Sequence, residues 1–124
     1  MIANIGCDIV RVGRIKRSID LYGARFLKRI FSDTEIMNAP VHPKKQCVYF
    51  ANRFAAKEAF AKSLGTGIGE AVHFNEIEIL NHPSGQPYIR FPERLGQMRV
   101  HLSISDEDSY SLAFVVIEKV SKSK

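Results

Sequence analysis

The sequence has few cysteines, and they are not spaced for disulfide or metal chemistry. Only two of the 124 residues are cysteines, Cys7 and Cys47, and they lie 40 positions apart in apolar surroundings. Neither belongs to a CxxC motif, which argues against a disulfide framework and against a zinc site. This usage is typical of a protein in a reducing compartment, so we expect a cytoplasmic location.

Signals for membrane insertion and export are also missing. No stretch of the chain approaches the roughly 18 consecutive apolar residues that indicate a membrane-spanning helix. The opening segment 1–5 has neither a charged n-region nor a long apolar run, so no signal peptide is predicted. We therefore expect no membrane partner.

Several familiar catalytic and binding motifs are absent as well. The glycine-rich segment 65–69 lacks the Gly-Lys-Ser/Thr ending of a P-loop. The serines of segment 103–105 have no nearby histidine to act as a base, which disfavours a serine hydrolase. RNP-type aromatic patterns are missing. No metal-site spacing relates the four histidines, which are His42, His73, His82 and His101.

What the sequence does contain is an ordinary globular composition with an uneven charge. Apolar residues make up 45% of the chain and charged residues 25%, which predicts one folded domain. Residues 1–62 carry 12 Lys+Arg and 5 Asp+Glu, a net charge of +7, whereas residues 63–124 carry 6 and 8, a net charge of −2. The basic first half indicates an anionic partner, which is a nucleic acid, a phosphorylated small molecule or an acidic protein.

Hydrophobic periodicity predicts a mixed first half of the chain. Alternation predicts a strand over 2–10, and helical spacing predicts a helix over 11–21 that is followed by a basic segment at 24–30. Ser32 opens a capping box for a short helix through about Asn38. The strongest helix signal covers 45–64.

The second half changes to a period of two, which is typical of strands. Strands are predicted at 74–80, 87–91, 100–105 and 110–120. The order of one strand, several helices and then adjacent strands predicts a single-domain α+β fold with a mostly antiparallel sheet. Residues 1–120 are assigned to this domain and 121–124 to a polar C-terminal tail.

Two carboxylates lie in settings that suit metal chemistry. Asp8 is near the end of the first predicted strand, beside Gly6, and Glu58 lies on the long helix four residues before Lys62. Each has an ordinary alternative, because Glu58 and Lys62 suit an ion pair on a solvated face and Asp8 suits a cap of the next helix. Together the two acids suit one Mg²⁺, which commonly takes one or two protein carboxylates and leaves its other positions to water and phosphate.

Longer motifs resemble the holo-[acyl-carrier-protein] synthase family of the 4′-phosphopantetheinyl transferase superfamily. Segment 5–10 (Ile-Gly-Cys-Asp-Ile-Val) resembles the start of family members, and segment 53–62 (Arg-Phe-Ala-Ala-Lys-Glu-Ala-Phe-Ala-Lys) resembles their most specific motif. The turn at 85–87 and the strand at 100–105 follow in the family's order, so the likeness covers about residues 2–120. The resemblance implies the phosphopantetheinyl transferase fold and a catalytic domain over 1–120.

The resemblance also implies a reaction. Family members are transferases that move the 4′-phosphopantetheine arm of coenzyme A onto a serine of apo acyl carrier protein. The products are the holo carrier protein and adenosine 3′,5′-bisphosphate, and the reaction serves fatty acid biosynthesis within lipid metabolism. The family binds magnesium through two acids that match Asp8 and Glu58, which are therefore the implied metal ligands and catalytic residues. Glu58, or a metal-bound water beside it, is the candidate base, and Lys62 matches the position that stabilises phosphate charge.

Further contacts follow from the same resemblance. Arg53 and Lys57 are expected to contact the nucleotide of coenzyme A, and Gly65 and Thr66 to shape the loop over it. The family docks the acidic carrier protein on a basic N-terminal helix, where Arg14 matches. Charge alone adds four neighbouring residues to that surface, Arg17, Arg25, Lys28 and Arg29. The family is usually a homotrimer with its sites at subunit clefts.

One position departs from the family pattern. Many members have a histidine near the nucleotide after Ser-Ile-Ser, whereas this chain has Asp106. An acid repels phosphate, so no ligand role is assigned to Asp106. Two rival hypotheses are a small basic nucleic-acid-binding module, which only the charge supports, and a catalytically inactive relative that still binds carrier protein. The family resemblance favours the transferase and predicts no nucleic-acid partner.

Overall fold

The first and last strands pair in the computed structural model, which describes residues 1–120. The predicted tail at 121–124 lies outside the described residues. Strand β1 (Ile2–Arg11) pairs with β5 (Tyr110–Lys119), and β5 pairs with β4 (Met98–Asp106), both in antiparallel register. A second antiparallel sheet contains only β2 (Glu78–Asn81) and β3 (Pro87–Arg90). The predicted α+β class with antiparallel strands is confirmed.

The strand predicted at 74–80 is shorter than expected. Residues Phe74–Glu76 form a 3₁₀ turn, and β2 begins only at Glu78. The turn is closed by the Glu76 carboxylate, which accepts a hydrogen bond from the His73 amide at 2.9 Å. The prediction that extended structure begins at residue 74 was therefore wrong, because a local side-chain cap competes with the ladder.

Four helices lie between β1 and the second sheet. The predicted capping box is present, since the Ser32 amide donates to Glu35 Oε1 at 2.9 Å and the Glu35 amide donates to Ser32 Oγ at 3.2 Å. The long helix starts two residues earlier than predicted, because Pro43 occupies its first turn, where no amide hydrogen is required. The helices are α1 (Val12–Tyr22), α2 (Ala24–Ile30), α3 (Asp33–Met37) and α4 (Pro43–Ser63).

Helix α4 is the centre of the core. Its large apolar residues Phe50, Phe54 and Phe60 are all buried, and they are joined by small side chains that are fully buried, namely Ala51, Ala55, Ala56, Ala59 and Ala61. These alanines let α4 lie close to the inner face of the three-stranded sheet, where Ala113 and Val115 are also fully buried.

The tightest approach in this packing is between Gly6 of β1 and the backbone of α4. A Cβ atom at Gly6 would lie 2.0 Å from the Ala59 carbonyl oxygen and 2.8 Å from the Ser63 amide nitrogen. Only glycine fits this contact. Because side chains alternate along a strand, Asp8 shares the face of Gly6 and points toward the C-terminal half of α4.

The opposite face of the three-stranded sheet, the outer sheet face, is apolar and exposed. On it Ile5 and Ile9 are 60% and 61% exposed, and Leu112 and Phe114 are 40% and 43% exposed. Ile9 pairs directly with Leu112, and Cys7 pairs with Phe114. A contiguous apolar patch of this kind marks an interaction surface. No helix among residues 1–120 has the length and hydropathy needed to cross a bilayer.

Candidate active site

The structure joins Asp8 of β1 to Lys62 in the last turn of α4. The Lys62 ammonium donates to Asp8 Oδ1 at 2.9 Å and to the Cys7 carbonyl oxygen at 3.2 Å. Both ordinary alternatives for the two acids are therefore wrong. Lys62 pairs with Asp8 and not with Glu58, and no side-chain hydrogen bond caps the start of α1.

Glu58 lies one turn before Lys62 on α4, where the charges of Asp8 and Lys62 both act on its carboxyl. Partial burial raises the pKa of the Glu58 carboxyl, and the negative charge of Asp8 raises it further, while Lys62 acts in the opposite direction. The hydrogen bond to Asp8 in turn raises the pKa of Lys62. The two carboxylates thus form one anionic centre that already attracts a cation.

The donor set of this centre fits magnesium. No group of three or more His, Cys, Asp or Glu side chains is placed to hold a metal ion anywhere in residues 1–120. Two carboxylates are nevertheless what a Mg²⁺ site that also uses water and ligand phosphate requires. The Lys62 ammonium already lies against Asp8. Positive charge is therefore favoured beside this carboxylate, as it would be for a bound Mg²⁺.

An apolar cleft lies in front of Glu58, with a volume of about 690 Å³. One of its walls is formed by the rings of Phe54 and Phe74, which stack on each other at a centroid distance of 5.3 Å. The guanidinium of Arg14 lies 5.7 Å above the Phe54 ring. Phe26, Arg29, Ile30 and Ile68 also line it. The cleft therefore connects Glu58 with the basic surface of α1 and α2.

The sequence did not indicate most of this cleft. No motif marks Phe26, Phe54, Ile68 or Phe74 as a cleft residue. Apolar residues beside a glycine-rich loop are equally expected in a core, so no sequence signal separates the two cases.

The predicted partner-binding residues are exposed on α1 and α2. Arg14 and Arg29 line the cleft with Glu58, whereas Arg25 and Lys28 lie outside it on α2. Arg17 is exposed on α1 and faces a different cleft. Among residues 1–120, none of these five cations takes part in an ion pair. The surface is therefore free to attract an anionic partner.

Arg53 lines a second cleft, the one that Arg17 faces. This second cleft has a volume of about 1450 Å³ and lies beside the N-terminal half of α4. Its guanidinium lies 3.6 Å over the Tyr49 ring and donates through Nη2 to Asn81 Oδ1 at 2.7 Å. Its Nε is buried and has no hydrogen-bond partner within the described part of the chain. The cleft also contains Lys44 and Lys45. A buried unfilled donor among cations suits an anionic ligand, but the structure does not bring Arg53 to Glu58 within one chain.

Lys57 does not face either cleft. It is fully buried, and its ammonium donates to Glu35 Oε1 at 2.6 Å, to the Ile30 carbonyl at 2.8 Å and to the Phe74 carbonyl at 3.1 Å. An ammonium has three donors, and all three are used. This geometry corrects the prediction that Lys57 contacts a nucleotide. The motif residue is structural, because it points into the protein one position before Glu58.

The other predicted positions lie at the edges of these features. Gly65 and Thr66 are exposed in the loop that follows α4, and Gly65 has a φ of 84°, which favours glycine. Asp106 is turned toward α4, where its Oδ2 accepts a hydrogen bond from Asn52 Nδ2 at 3.0 Å. Asn52 is itself held by the Ser111 hydroxyl at 2.6 Å, so Asp106 has a partner of its own.

Comparison with known proteins places the chain in a class. Residues 4–115 match the 4′-phosphopantetheinyl transferase superfamily. The chain belongs to this superfamily, which confirms the family resemblance of its motifs.

The relatives within the class are specific. A holo-[acyl-carrier-protein] synthase from Anoxybacillus flavithermus is 44% identical over 122 residues, which cover 98% of this chain and 99% of the relative. One from Ehrlichia canis is 42% identical over 119 residues, 94% of each chain. A solved holo-(acyl-carrier-protein) synthase from Bacillus anthracis, in complex with CoA (3′,5′-ADP), superposes with a TM-score of 0.88 at 37% identity and covers 97% of this chain and 99% of that one.

Proposed function

We propose that this chain transfers the 4′-phosphopantetheine group from coenzyme A to a serine of apo acyl carrier protein. The products are holo carrier protein and adenosine 3′,5′-bisphosphate, and the reaction supports fatty acid biosynthesis in the cytoplasm. The observation that carries the proposal is the cluster of Asp8, Glu58 and Lys62 at a cleft with a basic rim. Its full-length relatives bear the name of this activity, and one of them was solved with coenzyme A.

The two carboxylates and Lys62 have different proposed roles toward the phosphates of coenzyme A. Asp8 and Glu58 would hold Mg²⁺, which when bound would supply positive charge to the phosphates of coenzyme A. Lys62, which is 52% exposed at its side chain, adds a second positive charge to those phosphates. Phosphoryl transfer depends mainly on such positioning and charge stabilisation.

Glu58 is the proposed base for the acceptor serine. Burial and then the Asp8 charge raise the pKa of the Glu58 carboxyl, and a carboxylate within reach of the acceptor hydroxyl can take the proton that the serine loses as it attacks. The apolar walls of the cleft around Phe54 and Phe74 exclude water from the phosphopantetheine arm. The carrier protein approaches over the rim formed by Arg14 and Arg29.

The nucleotide end of coenzyme A is assigned to the second cleft. The unfilled Arg53 Nε and the Lys44 and Lys45 ammonium groups suit its phosphates. Gly65 and Thr66 shape the loop that follows Lys62. Since the two clefts are separate in one chain, we place each complete site at a cleft between two subunits, as in the family.

The reaction is tested by following the mass of the acceptor. The chain is mixed with coenzyme A, MgCl₂ and an acidic apo carrier protein, and the carrier is measured by intact-mass spectrometry. We expect a gain of one phosphopantetheine arm, abolished by EDTA and restored by Mg²⁺. A carrier with its acceptor serine changed to alanine is the matched control and is expected to gain nothing.

Other results separate the rival hypotheses. Absence of transfer with any divalent metal, together with retained carrier binding, would indicate an inactive relative. Absence of both, with nucleic-acid binding that weakens steeply as salt increases, would indicate a nucleic-acid-binding module.

Carrier docking is expected to depend on salt and on Arg14. Reversing the charge with Arg14→Glu should raise the KM for carrier protein tenfold or more with little change in the KM for coenzyme A, because like charges at an interface are strongly unfavourable. Raising ionic strength should raise the same KM in the unmodified chain by screening. Steady-state kinetics at several salt concentrations measures both effects, and a carrier KM that is independent of salt would contradict the docking surface.

We also propose that the chain is a homotrimer assembled through the outer sheet face. Support comes from the exposure of four large apolar side chains there, Ile5, Ile9, Leu112 and Phe114. Burying these side chains against another copy of the chain would stabilise the assembly by about 25 cal/mol for each Å² of apolar surface removed from water.

The assembly is expected to fail when a charge is placed on this face. Phe114→Lys should convert the trimer into monomers, because an unpaired charge is costly to bury. Sedimentation velocity measures the change, and Gln97→Lys, at an exposed site outside the sheets, is the matched control. A Phe114→Lys protein that sediments like the unmodified chain would exclude this face as the interface.

A further inference from the structure

A buried ion pair behind the apolar cleft has no role in the reaction described so far. Lys57 and Glu35 meet at 2.6 Å with both side chains fully buried. Glu35 is held in place from two further directions, since its carboxylate accepts from the Ser32 amide and from the Ile79 amide, each at 2.9 Å. The pair therefore ties α4 to α3 and β2.

The remaining donors of Lys57 reach the walls of the cleft. They bond to the backbone carbonyls of Ile30 and Phe74, at 2.8 Å and 3.1 Å. Both residues line the cavity that contains Glu58. The Phe74 ring stacks on Phe54, which is on α4 itself, and the two rings together form one wall of that cavity. Because Lys57 and Phe54 are on the same helix, the hydrogen bond from Lys57 to the Phe74 carbonyl holds Phe74 in position against Phe54.

Stability alone is a poor explanation for this arrangement. Replacing a buried ion pair by uncharged groups of similar volume is often neutral or stabilising, because desolvation offsets the attraction. Burial lowers the pKa of Lys57, and the Glu35 carboxylate opposes that change. What an uncharged replacement cannot reproduce is the pair of hydrogen bonds from Lys57 to the two cleft segments at Ile30 and Phe74.

We propose that Lys57 is a positioning residue that holds two parts of the cleft lining in place, the stacked Phe54 and Phe74 rings and the segment at Ile30, and so sets the affinity of the cleft for the phosphopantetheine arm. Lys57 itself touches no substrate, since it is fully buried. This inference rests on the proposed function, because it takes coenzyme A as the occupant. It concerns binding of the arm and leaves the phosphates to the groups already described.

The test compares two ligands that differ by the arm. The double variant Lys57→Met/Glu35→Gln removes both charges together, so no unpaired buried charge remains. Isothermal titration calorimetry with Mg²⁺ then measures binding of coenzyme A and of adenosine 3′,5′-bisphosphate, which lacks the arm. We expect the affinity for coenzyme A to fall about tenfold and the affinity for the bisphosphate to change less than twofold. In the transfer assay we expect a higher KM for coenzyme A.

A neighbouring ion pair provides the matched control. Arg94 and Glu76 pair at 2.6 Å on the solvent side of the same 3₁₀ turn that carries Phe74. The Arg94→Gln variant removes that pair but keeps the Lys57 contacts, and we expect it to leave both affinities within twofold of the unmodified chain.

Each outcome decides the inference. Equal losses for the two ligands, or no loss for either, would overturn it, because a merely structural residue does not distinguish the arm. Should the double variant not fold, Lys57→Arg carries the test, since it keeps the charge but not the three-point geometry. Wild-type affinity for coenzyme A in that variant would also overturn the inference. If the unmodified chain binds coenzyme A but transfers nothing, the proposed function fails while the ligand comparison still reports on Lys57.

Discussion

Asp8→Asn is expected to lower the rate of phosphopantetheine transfer about a thousandfold or more. The substitution keeps the shape of the side chain and removes one of the two carboxylates assigned to Mg²⁺. Metal stabilisation of a developing phosphate charge supplies several kcal/mol, and each 1.36 kcal/mol is about a factor of ten in rate. The Lys62 ammonium also loses its anionic partner at 2.9 Å.

The loss should be separable from any change in folding. Mn²⁺ binding followed by electron paramagnetic resonance is expected to weaken in parallel with activity, while the circular dichroism spectrum stays unchanged. Asp33→Asn, on an exposed acid of α3, makes the same chemical change away from the site and should leave the transfer rate within twofold. Transfer by Asp8→Asn within tenfold of the unmodified rate would remove Asp8 from the metal site.

Gly6→Ala, which adds one methyl group on β1, is expected to lower the free energy of unfolding strongly. Its Cβ would meet the Ala59 carbonyl oxygen at 2.0 Å, so the strand or the helix has to move. Overpacking costs about 1–3 kcal/mol and occasionally more. Because the obstacle is backbone and not a flexible side chain, we expect the upper end, about 3 kcal/mol or more. That loss is a large fraction of the free energy of unfolding of a typical native protein, which is about 5–15 kcal/mol.

Chemical unfolding in urea measures this change, and the chain contains its own control. A Cβ at Gly13, within α1, meets nothing within 4 Å. Gly13→Ala should therefore raise the free energy of unfolding by roughly 0.5–1 kcal/mol, the usual difference between the two residues in a helix. If both variants unfold at the same urea concentration as the unmodified chain, the close contact between β1 and α4 is not real.

The sequence predicted those features that depend on neighbours along the chain. The Ser32 capping box and the α4 helix were correct because caps and helical periodicity are local signals. The roles of Asp8, Glu58 and Lys62 were inferred from motifs, and the structure brings Asp8 and Lys62 together across 54 positions.

Two of the failures are long-range and one is local. Nothing near Lys57 in the sequence indicates that Glu35 and the Phe74 carbonyl will enclose its ammonium. The period of Ile77 and Ile79 resembles a longer strand, yet the Glu76 side chain closes a turn first. The separation of the Arg53 cleft from the Glu58 cleft depends on how α4 sits between α1 and the sheet, which no spacing rule describes.

The pairing of β1 with β5 has a consequence for synthesis on the ribosome. Asp8 is made well before β5, and its strand has no partner until Tyr110–Lys119 has emerged, because β5 lies between β1 and β4. Until then β1 has unpaired backbone donors and acceptors and a row of exposed isoleucines, which is a template for association with other nascent chains. The acid assigned to the metal thus lies in an unpaired strand until β5 is made, and the proposed catalytic centre forms only when β5 closes the sheet.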